Sequence, residues 1–141
     1  MIANERQYNV TRKKLGELEY LKASLDRGDA GDDGFRDLQG QALESVMDDL
    51  RVELAEYDAL RSGGITTIEA SSLGGLADAL IKARIARGWT QAELADRLGV
   101  AEQQVQRDEA NRYSGAALSR LVEIADALDV EVRETLTLRA S

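Results

Sequence analysis

Residues 88–100, GWTQAELADRLGV, decide the fold of this chain. Thr90 followed three positions later by Glu93 is the pattern of a capping box, which satisfies the unpaired amides at a helix start. Gly99 supplies the positive φ that a sharp turn requires. Residues 101–109, AEQQVQRDE, continue as a second short helix rich in long polar side chains. The stretch therefore predicts two short helices joined by a glycine turn, the outline of a helix-turn-helix.

The second short helix carries side chains suited to reading a DNA groove. Val105 is expected to point inward and anchor the helix, while Gln103, Gln104, Gln106 and Arg107 lie mostly on the remaining surface. Glutamine can pair with adenine, and arginine with guanine, through two hydrogen bonds at the edge of the major groove. A short helix offering these side chains is what major-groove recognition requires.

Composition excludes several classes of function. The chain of 141 residues has no Cys and no His, which removes disulfides, thiolate chemistry and the commonest metal ligand and general base. We therefore expect no enzyme activity, no metal and no cofactor. The sequence has neither an apolar signal core nor an apolar run that could span a bilayer, so a soluble cytoplasmic protein without a membrane partner is expected.

Charge is divided unevenly along the chain. Residues 1–70 hold nine basic and fifteen acidic residues and so contribute most of the net charge of −8. Acidity is unusual in a nucleic-acid binder, because neutralisation of phosphates supplies most non-specific affinity. The second half has a net charge of only −2 and can still present a local basic face.

The first 62 residues predict a helical hairpin. Thr11 is a plausible N-cap for a helix over residues 12–27, and a polar, glycine-rich break follows at residues 29–34. A longer helix is expected over residues 35–61. Each helix is expected to carry its apolar residues along one face. In the first helix this apolar stripe comprises Leu15, Leu18, Leu21 and Leu25, and in the second it comprises Leu43, Val46, Leu50, Leu54 and Tyr57. Such a hairpin must pack against itself, a second copy or another protein, and so is predicted to serve dimerisation or partner binding.

The segments around the helix-turn-helix complete the predicted domain organisation. Residues 63–71 read as a linker, in which residues 65–68 form either a short strand or an extended segment. A helix is expected near residues 72–87, and the helix-turn-helix domain then covers residues 72–129. Residues 130–141, here called the tail, begin with alternating apolar and polar residues, which predicts a strand. That strand has three candidate neighbours: residues 65–68, a second copy across a dimer axis, or a sheet edge of a partner.

Residues 76–128 resemble the Xre/Cro family of helix-turn-helix repressors and antitoxins, which share a five-helix fold with lambda-type phage repressors. The matching positions are Arg84, residues 88–91, residues 93–95, Gly99, Val100, Val105, Glu109 and residues 121–130 for the last helix. Residues 103–107 and 111–113 also resemble a subgroup that has an N-terminal helical extension like this one, such as HigA-like antitoxins. The resemblance implies a mainly α protein: a helical hairpin, a five-helix domain and a short C-terminal β-strand.

The resemblance also assigns roles to individual residues. Gln91 is implied to clamp a phosphate at a helix N-terminus. Arg112 is implied to touch the DNA backbone, and Arg84 with Glu109 to form an ion pair between the first helix and the recognition helix. The positions implied to face bases or nearby phosphates are Glu102, Gln103, Gln104, Gln106 and Arg107.

Three residues depart from the family pattern. Glu102 is acidic where Gln or Ser is frequent, so that it either accepts from cytosine or repels phosphate. Asp108 replaces a bulky apolar residue and must reach solvent or a partner. Asn111 replaces a turn glycine, and is expected to adopt the left-handed conformation that Asn tolerates.

Two functions follow from the sequence. The first is a homodimeric, sequence-specific transcriptional regulator that binds a palindromic operator in double-stranded DNA. By resemblance it would be the antitoxin of a type II toxin–antitoxin pair, which neutralises a toxin and represses its own operon. The alternative is a protein-interaction module that keeps the helix-turn-helix fold with weak or no DNA binding, which the acidic residues Glu102 and Asp108 favour.

Overall fold

The computed structural model describes residues 1–28 and 33–140, and over these residues the chain is mainly α, as predicted. The helices are α1 (Glu5–Asp26), α2 (Asp33–Arg61), α3 (Gly75–Ala86), α4 (Gln91–Leu98), α5 (Glu102–Ala110) and α6 (Leu118–Ala127). Most of the predicted break at residues 29–34 lies outside the described residues. The chain divides into two compact units, Met1–Thr66 and Thr67–Ser141. This division falls inside the stretch predicted as a linker.

Helix α1 begins earlier than predicted because Asn4, and not Thr11, is its N-cap. The Asn4 side chain accepts a hydrogen bond of 2.9 Å from the Gln7 amide, and the Gln7 side chain accepts one of 2.8 Å from the Ala3 amide. Two amides at the helix start are thereby satisfied by side chains only three residues apart. Thr11 lies inside the helix, on its half-buried face.

Helices α1 and α2 pack as an antiparallel pair along two heptad seams. The residues that lose most surface alternate at spacings of three and four, as in a coiled coil. The seam of α1 is Tyr8, Thr11, Leu15, Leu18, Lys22 and Leu25, and that of α2 is Leu43, Met47, Leu50, Leu54 and Tyr57. The predicted stripes were wrong at two positions: Leu21 is 48% exposed and Val46 is 44% exposed. Lys22 and Met47 occupy the seam in their place.

Polar contacts fix how the two helices pair. The Tyr8 hydroxyl donates to Asp58 at 3.1 Å at one end, and the Lys22 ammonium donates to Glu44 at 2.7 Å near the other. Arg51 also donates to Glu44, at 2.8 Å. Hydrogen bonds from Lys22 and Arg51 hold the pKa of the Glu44 carboxyl below its ordinary value. A lysine is tolerated in the seam because this carboxylate reaches it from the neighbouring helix.

The second unit packs α3 to α6 around one small core. Helix α4 packs against α5 and α6, and α3 also contacts α6. The most deeply buried side chains come from all four helices and the end of α6: Ile81, Leu94, Val105, Ile124 and Leu128. The expectation of five helices was wrong, since the described part of this unit contains four. The last of these begins at Leu118, not at residue 121.

The tail is not a strand in the described residues. Residues 131–140 are exposed and without regular secondary structure, and residues 65–68 likewise form no strand. The alternation of side chains remains, but a strand also needs a neighbour for its backbone groups, and the described chain supplies none. Among the described residues, every helix is too short or too polar to cross a membrane.

Candidate nucleic-acid interface

Helix α4 and the turn after it have the local geometry that the sequence predicts. Thr90 Oγ1 accepts from the Glu93 amide at 3.1 Å, and Glu93 Oε2 accepts from the Thr90 amide at 2.7 Å, completing the capping box. At the other end Gly99 has φ 69°, a left-handed conformation that costs a residue with a Cβ about 1–2 kcal/mol. This turn places α5 directly after α4 and in contact with it.

A buried ion pair joins α3 to α5. Arg84 Nε donates to Glu109 Oε1 at 2.6 Å, and Arg84 Nη2 donates to Glu109 Oε2 at 2.9 Å. The two side chains are only 3% and 1% exposed. Paired N–H groups on one carboxylate fix both distance and orientation. The pair therefore sets the angle at which α5 crosses the domain.

Two further contacts extend this pair into a buried polar cluster. Gln91 Nε2, at the first position of α4, donates to Glu109 Oε2 at 2.8 Å. Arg84 Nη1 donates to the carbonyl oxygen of Trp89 at 2.7 Å, in the turn before α4. We call Arg84, Gln91 and Glu109 the buried polar cluster. The resemblance implies that Gln91 clamps a phosphate, but its side chain is only 7% exposed and its amide group donates to Glu109.

The outer face of α5 brings together the side chains predicted to read bases. Glu102, Gln103, Gln106 and Arg107 are exposed, and Gln104 is half-buried. Hydrogen bonds along the helix hold several of them in place: Gln106 donates to Glu102 at 3.1 Å, and Arg107 donates to Gln104 at 3.1 Å. Short hydrogen bonds of this kind limit the rotamers that these long side chains adopt before any ligand arrives.

Asp108 finds partners and does not point freely to solvent. Its carboxylate accepts from Gln104 at 2.8 Å and lies 3.6 Å from the Arg120 guanidinium of α6. The negative charge that departs from the family pattern is thus partly balanced at the base of the reading face. Sequence reasoning missed Arg120, because nothing near residue 108 in the chain points to a partner in the next helix.

The turn after α5 differs from the prediction at Asn111. Asn111 has φ −88°, whereas Arg112 and Tyr113 carry the positive φ values, 52° and 53°. Two residues with side chains are held there because Tyr113 is buried and its amide bonds the Asp108 carbonyl at 2.7 Å. Burial and the charge of Glu109 raise the pKa of the Tyr113 hydroxyl.

Arg112, implied to touch the DNA backbone, is tied to α3. Its Nη1 donates to Asp78 Oδ2 at 2.7 Å, while the side chain stays more than half exposed. The other oxygen of Asp78 is buried without a hydrogen-bond partner among the described residues. Arg112 can therefore offer its remaining N–H groups outward while this contact fixes its position.

Trp89 and Arg97 form a surface contact that sequence reasoning did not find. The Arg97 guanidinium lies 3.8 Å from the centre of the Trp89 ring, at the end of the interface formed by α4. Such stacking orients an arginine that would otherwise sample many rotamers. Within the described residues there is no group of three or more carboxylates placed to hold a metal ion.

Replacing one partner of the buried pair should destabilise the second unit strongly. Arg84→Met or Glu109→Leu leaves a buried charge unpaired, and each should lower the free energy of unfolding by about 3–5 kcal/mol. The double variant should lose less than the sum, since no charge then remains buried. Urea unfolding followed by Trp89 fluorescence measures this, because Trp89 is the single tryptophan and lies in this unit.

Arg133→Met is the matched control, since it breaks the exposed ion pair with Glu131. It should change stability by less than about 0.5 kcal/mol. Strictly additive losses in the double variant would contradict a coupled buried pair.

Comparison with known families agrees with this geometry. Residues 80–134 match the family model described as helix-turn-helix, which spans most of α3, all of α4 to α6 and the start of the tail. No curated protein and no solved structure matches the chain. Residues 80–134 are thus a helix-turn-helix domain. The match supports the interpretation of this domain as that of a DNA-binding regulator of the Xre type.

Proposed function

We propose that the chain is a sequence-specific DNA-binding transcriptional regulator, and not an enzyme, that represses its own operon. The observation that carries the proposal is the outer face of α5, where Gln103, Gln106 and Arg107 are exposed together. The buried polar cluster supports it, since it holds the helix from beneath. Amide and guanidinium groups of this kind recognise adenine and guanine in the major groove.

The charge of the second unit favours binding as a homodimer. Residues 71–141 have a net charge of −2, so one copy makes few favourable contacts with phosphates. Two copies related by a two-fold axis double both the phosphate contacts and the bases read, and their operator is then palindromic.

Arg107→Ala should weaken binding to the DNA upstream of the protein's own gene. The loss of one guanine-reading side chain is expected to cost about 1–3 kcal/mol per site and to relax the preference for one base. Titration of labelled duplexes, wild-type and mutated, by fluorescence anisotropy at several salt concentrations measures both effects.

Arg6→Ala is the matched control, because it removes the same charge from an exposed position on α1. It should leave affinity and base preference unchanged. Equal losses in the two variants would reduce the effect to net charge. If the wild-type protein does not bind the DNA, or binds it with an affinity that does not depend on salt, the second candidate function, a protein-interaction module, is favoured instead. The acidic side chain of Glu102, exposed on the same face of α5, is the observation that favours this candidate.

We also propose that the chain acts as an antitoxin, and that its helical hairpin binds and neutralises a toxin. On α2, Phe35, Leu38 and Val46 recur at spacings of three and eight and are all exposed, outside the seam with α1. The hairpin is also the acidic part of the chain, which complements a basic toxin. An apolar stripe on an acidic surface is suited to a partner protein with a basic rim.

Leu38→Asp should abolish rescue of growth when the chain is co-expressed with its proposed toxin. The substitution places a charge in the exposed stripe and leaves the seam intact. Val10→Asp on α1 is the matched control, since Val10 and Leu38 are both 62% exposed. Both variants should still bind operator DNA. Full rescue by Leu38→Asp would place toxin binding elsewhere.

A further inference from the structure

The tail leaves the second unit from a fixed point. The Val130 amide donates to the Ala125 carbonyl at 3.1 Å, and the Arg87 guanidinium donates to the carbonyl oxygens of Leu128 and Asp129 at 2.9 and 2.6 Å. Asp129 has φ 52°, a left-handed conformation that follows the end of α6. Within the described chain, the backbone groups of residues 131–140 form no hydrogen bond with other backbone groups. The tail thus starts from an anchored point and has backbone donors and acceptors that no other backbone group satisfies.

Side chains of the tail separate onto two faces if it is extended. One face carries Val130, Val132, Glu134, Leu136 and Leu138, and the other carries Glu131, Arg133, Thr135, Thr137 and Arg139. Leu136 and Leu138 are 89% and 95% exposed. Of the six large apolar side chains exposed in the second unit, five lie on α6 or the tail.

We propose that the tail pairs with the tail of a second copy as an antiparallel two-stranded ribbon centred on Thr135. The proposal rests on the homodimer of the proposed function and assigns its interface. In this register Glu131 lies opposite Arg139 of the second copy, and the two-fold axis repeats this ion pair. Val132 lies opposite Leu138, and Thr135 lies opposite itself. Opposite charges and apolar pairs across strands each stabilise a ribbon.

The neighbouring registers bring like charges together. An antiparallel ribbon centred on Arg133 or on Glu134 places that residue opposite itself, and one centred on Leu136 places Arg133 opposite Arg139. A parallel ribbon in register pairs every charged residue with its own copy. A shift by one residue sets the apolar face against the polar face. Among the central positions 133–136, the charge pattern thus selects Thr135 as the centre of the ribbon.

The ribbon also needs cover on its apolar face, because two strands alone are only marginally stable in water. Leu118 and Val122 lie one turn apart on α6 and are both exposed. They belong to the same unit as the tail and supply the apolar surface that this face requires. The interface therefore combines the ribbon with the outer stripe of α6.

Single cysteines test the register directly, since the chain has no cysteine of its own. In the proposed ribbon the two copies of Thr135→Cys face each other with Cα atoms about 4.5–5.5 Å apart, which suits a disulfide. The two copies of Thr137→Cys are separated by four residues along the strands, about 13 Å. Mild oxidation should give a covalent dimer with Thr135→Cys and little with Thr137→Cys, as seen on non-reducing gels. Both positions are exposed, so both variants keep the fold.

Charge reversal is the second measurement. Glu131→Lys or Arg139→Glu alone creates two repulsive pairs and should weaken dimerisation roughly 2- to 30-fold by sedimentation equilibrium. The double variant should restore it. Equal cross-linking at positions 135 and 137 would overturn the register. A wild-type dimer whose Thr135→Cys variant does not cross-link would overturn the tail pairing and leave the proposed homodimer standing, whereas a monomeric wild type would overturn both.

Discussion

The buried contact between Arg84 and Glu109 is the constraint on which the second unit depends. Two opposite charges lie almost without solvent, and each is fully engaged: the guanidinium by the carboxylate and the Trp89 carbonyl, the carboxylate by Arg84 and Gln91. Burial of such a pair adds little net stability, but breaking it is costly. Its consequence is orientation, because α3, the start of α4 and α5 must all keep the positions that satisfy the same few atoms. The reading face of α5 is held from behind in this way.

The outer face of α5 carries little positive charge. Glu102 and Asp108 are acidic, and the second is balanced by Arg120 of α6. Recognition by such a face depends more on the shape and hydrogen-bonding of Gln103, Gln106 and Arg107 than on general attraction to phosphates. In the proposed function, weak non-specific binding makes a second copy important, and the proposed pairing of the tails, which have complementary charges, would recruit one.

Local features were predictable from the residues themselves, whereas contacts between distant residues were not, apart from the Arg84–Glu109 pair that the family resemblance implied. The Thr90–Glu93 capping box and the left-handed Gly99 need only their neighbours, and both were found. The predicted stripe of α1 was wrong at Leu21, because Lys22 takes the inward position and its ammonium donates to Glu44 of the other helix. The resemblance implied that Gln91 clamps a phosphate, whereas its side-chain amide donates to Glu109, which is 18 residues away. The alternation in the tail predicted a strand without saying where its hydrogen-bonding partner is.

The central claim is that α5, held by the buried polar cluster, reads a specific DNA sequence as part of a homodimer. Selection of duplexes from a random-sequence pool by the full chain, followed by sequencing, tests this most directly. The account predicts enrichment of one inverted repeat whose half-sites are separated by whole helical turns of about 10 base pairs. If the chain is shown by its Trp89 fluorescence to be folded and the recovered duplexes share no motif, the claim is contradicted.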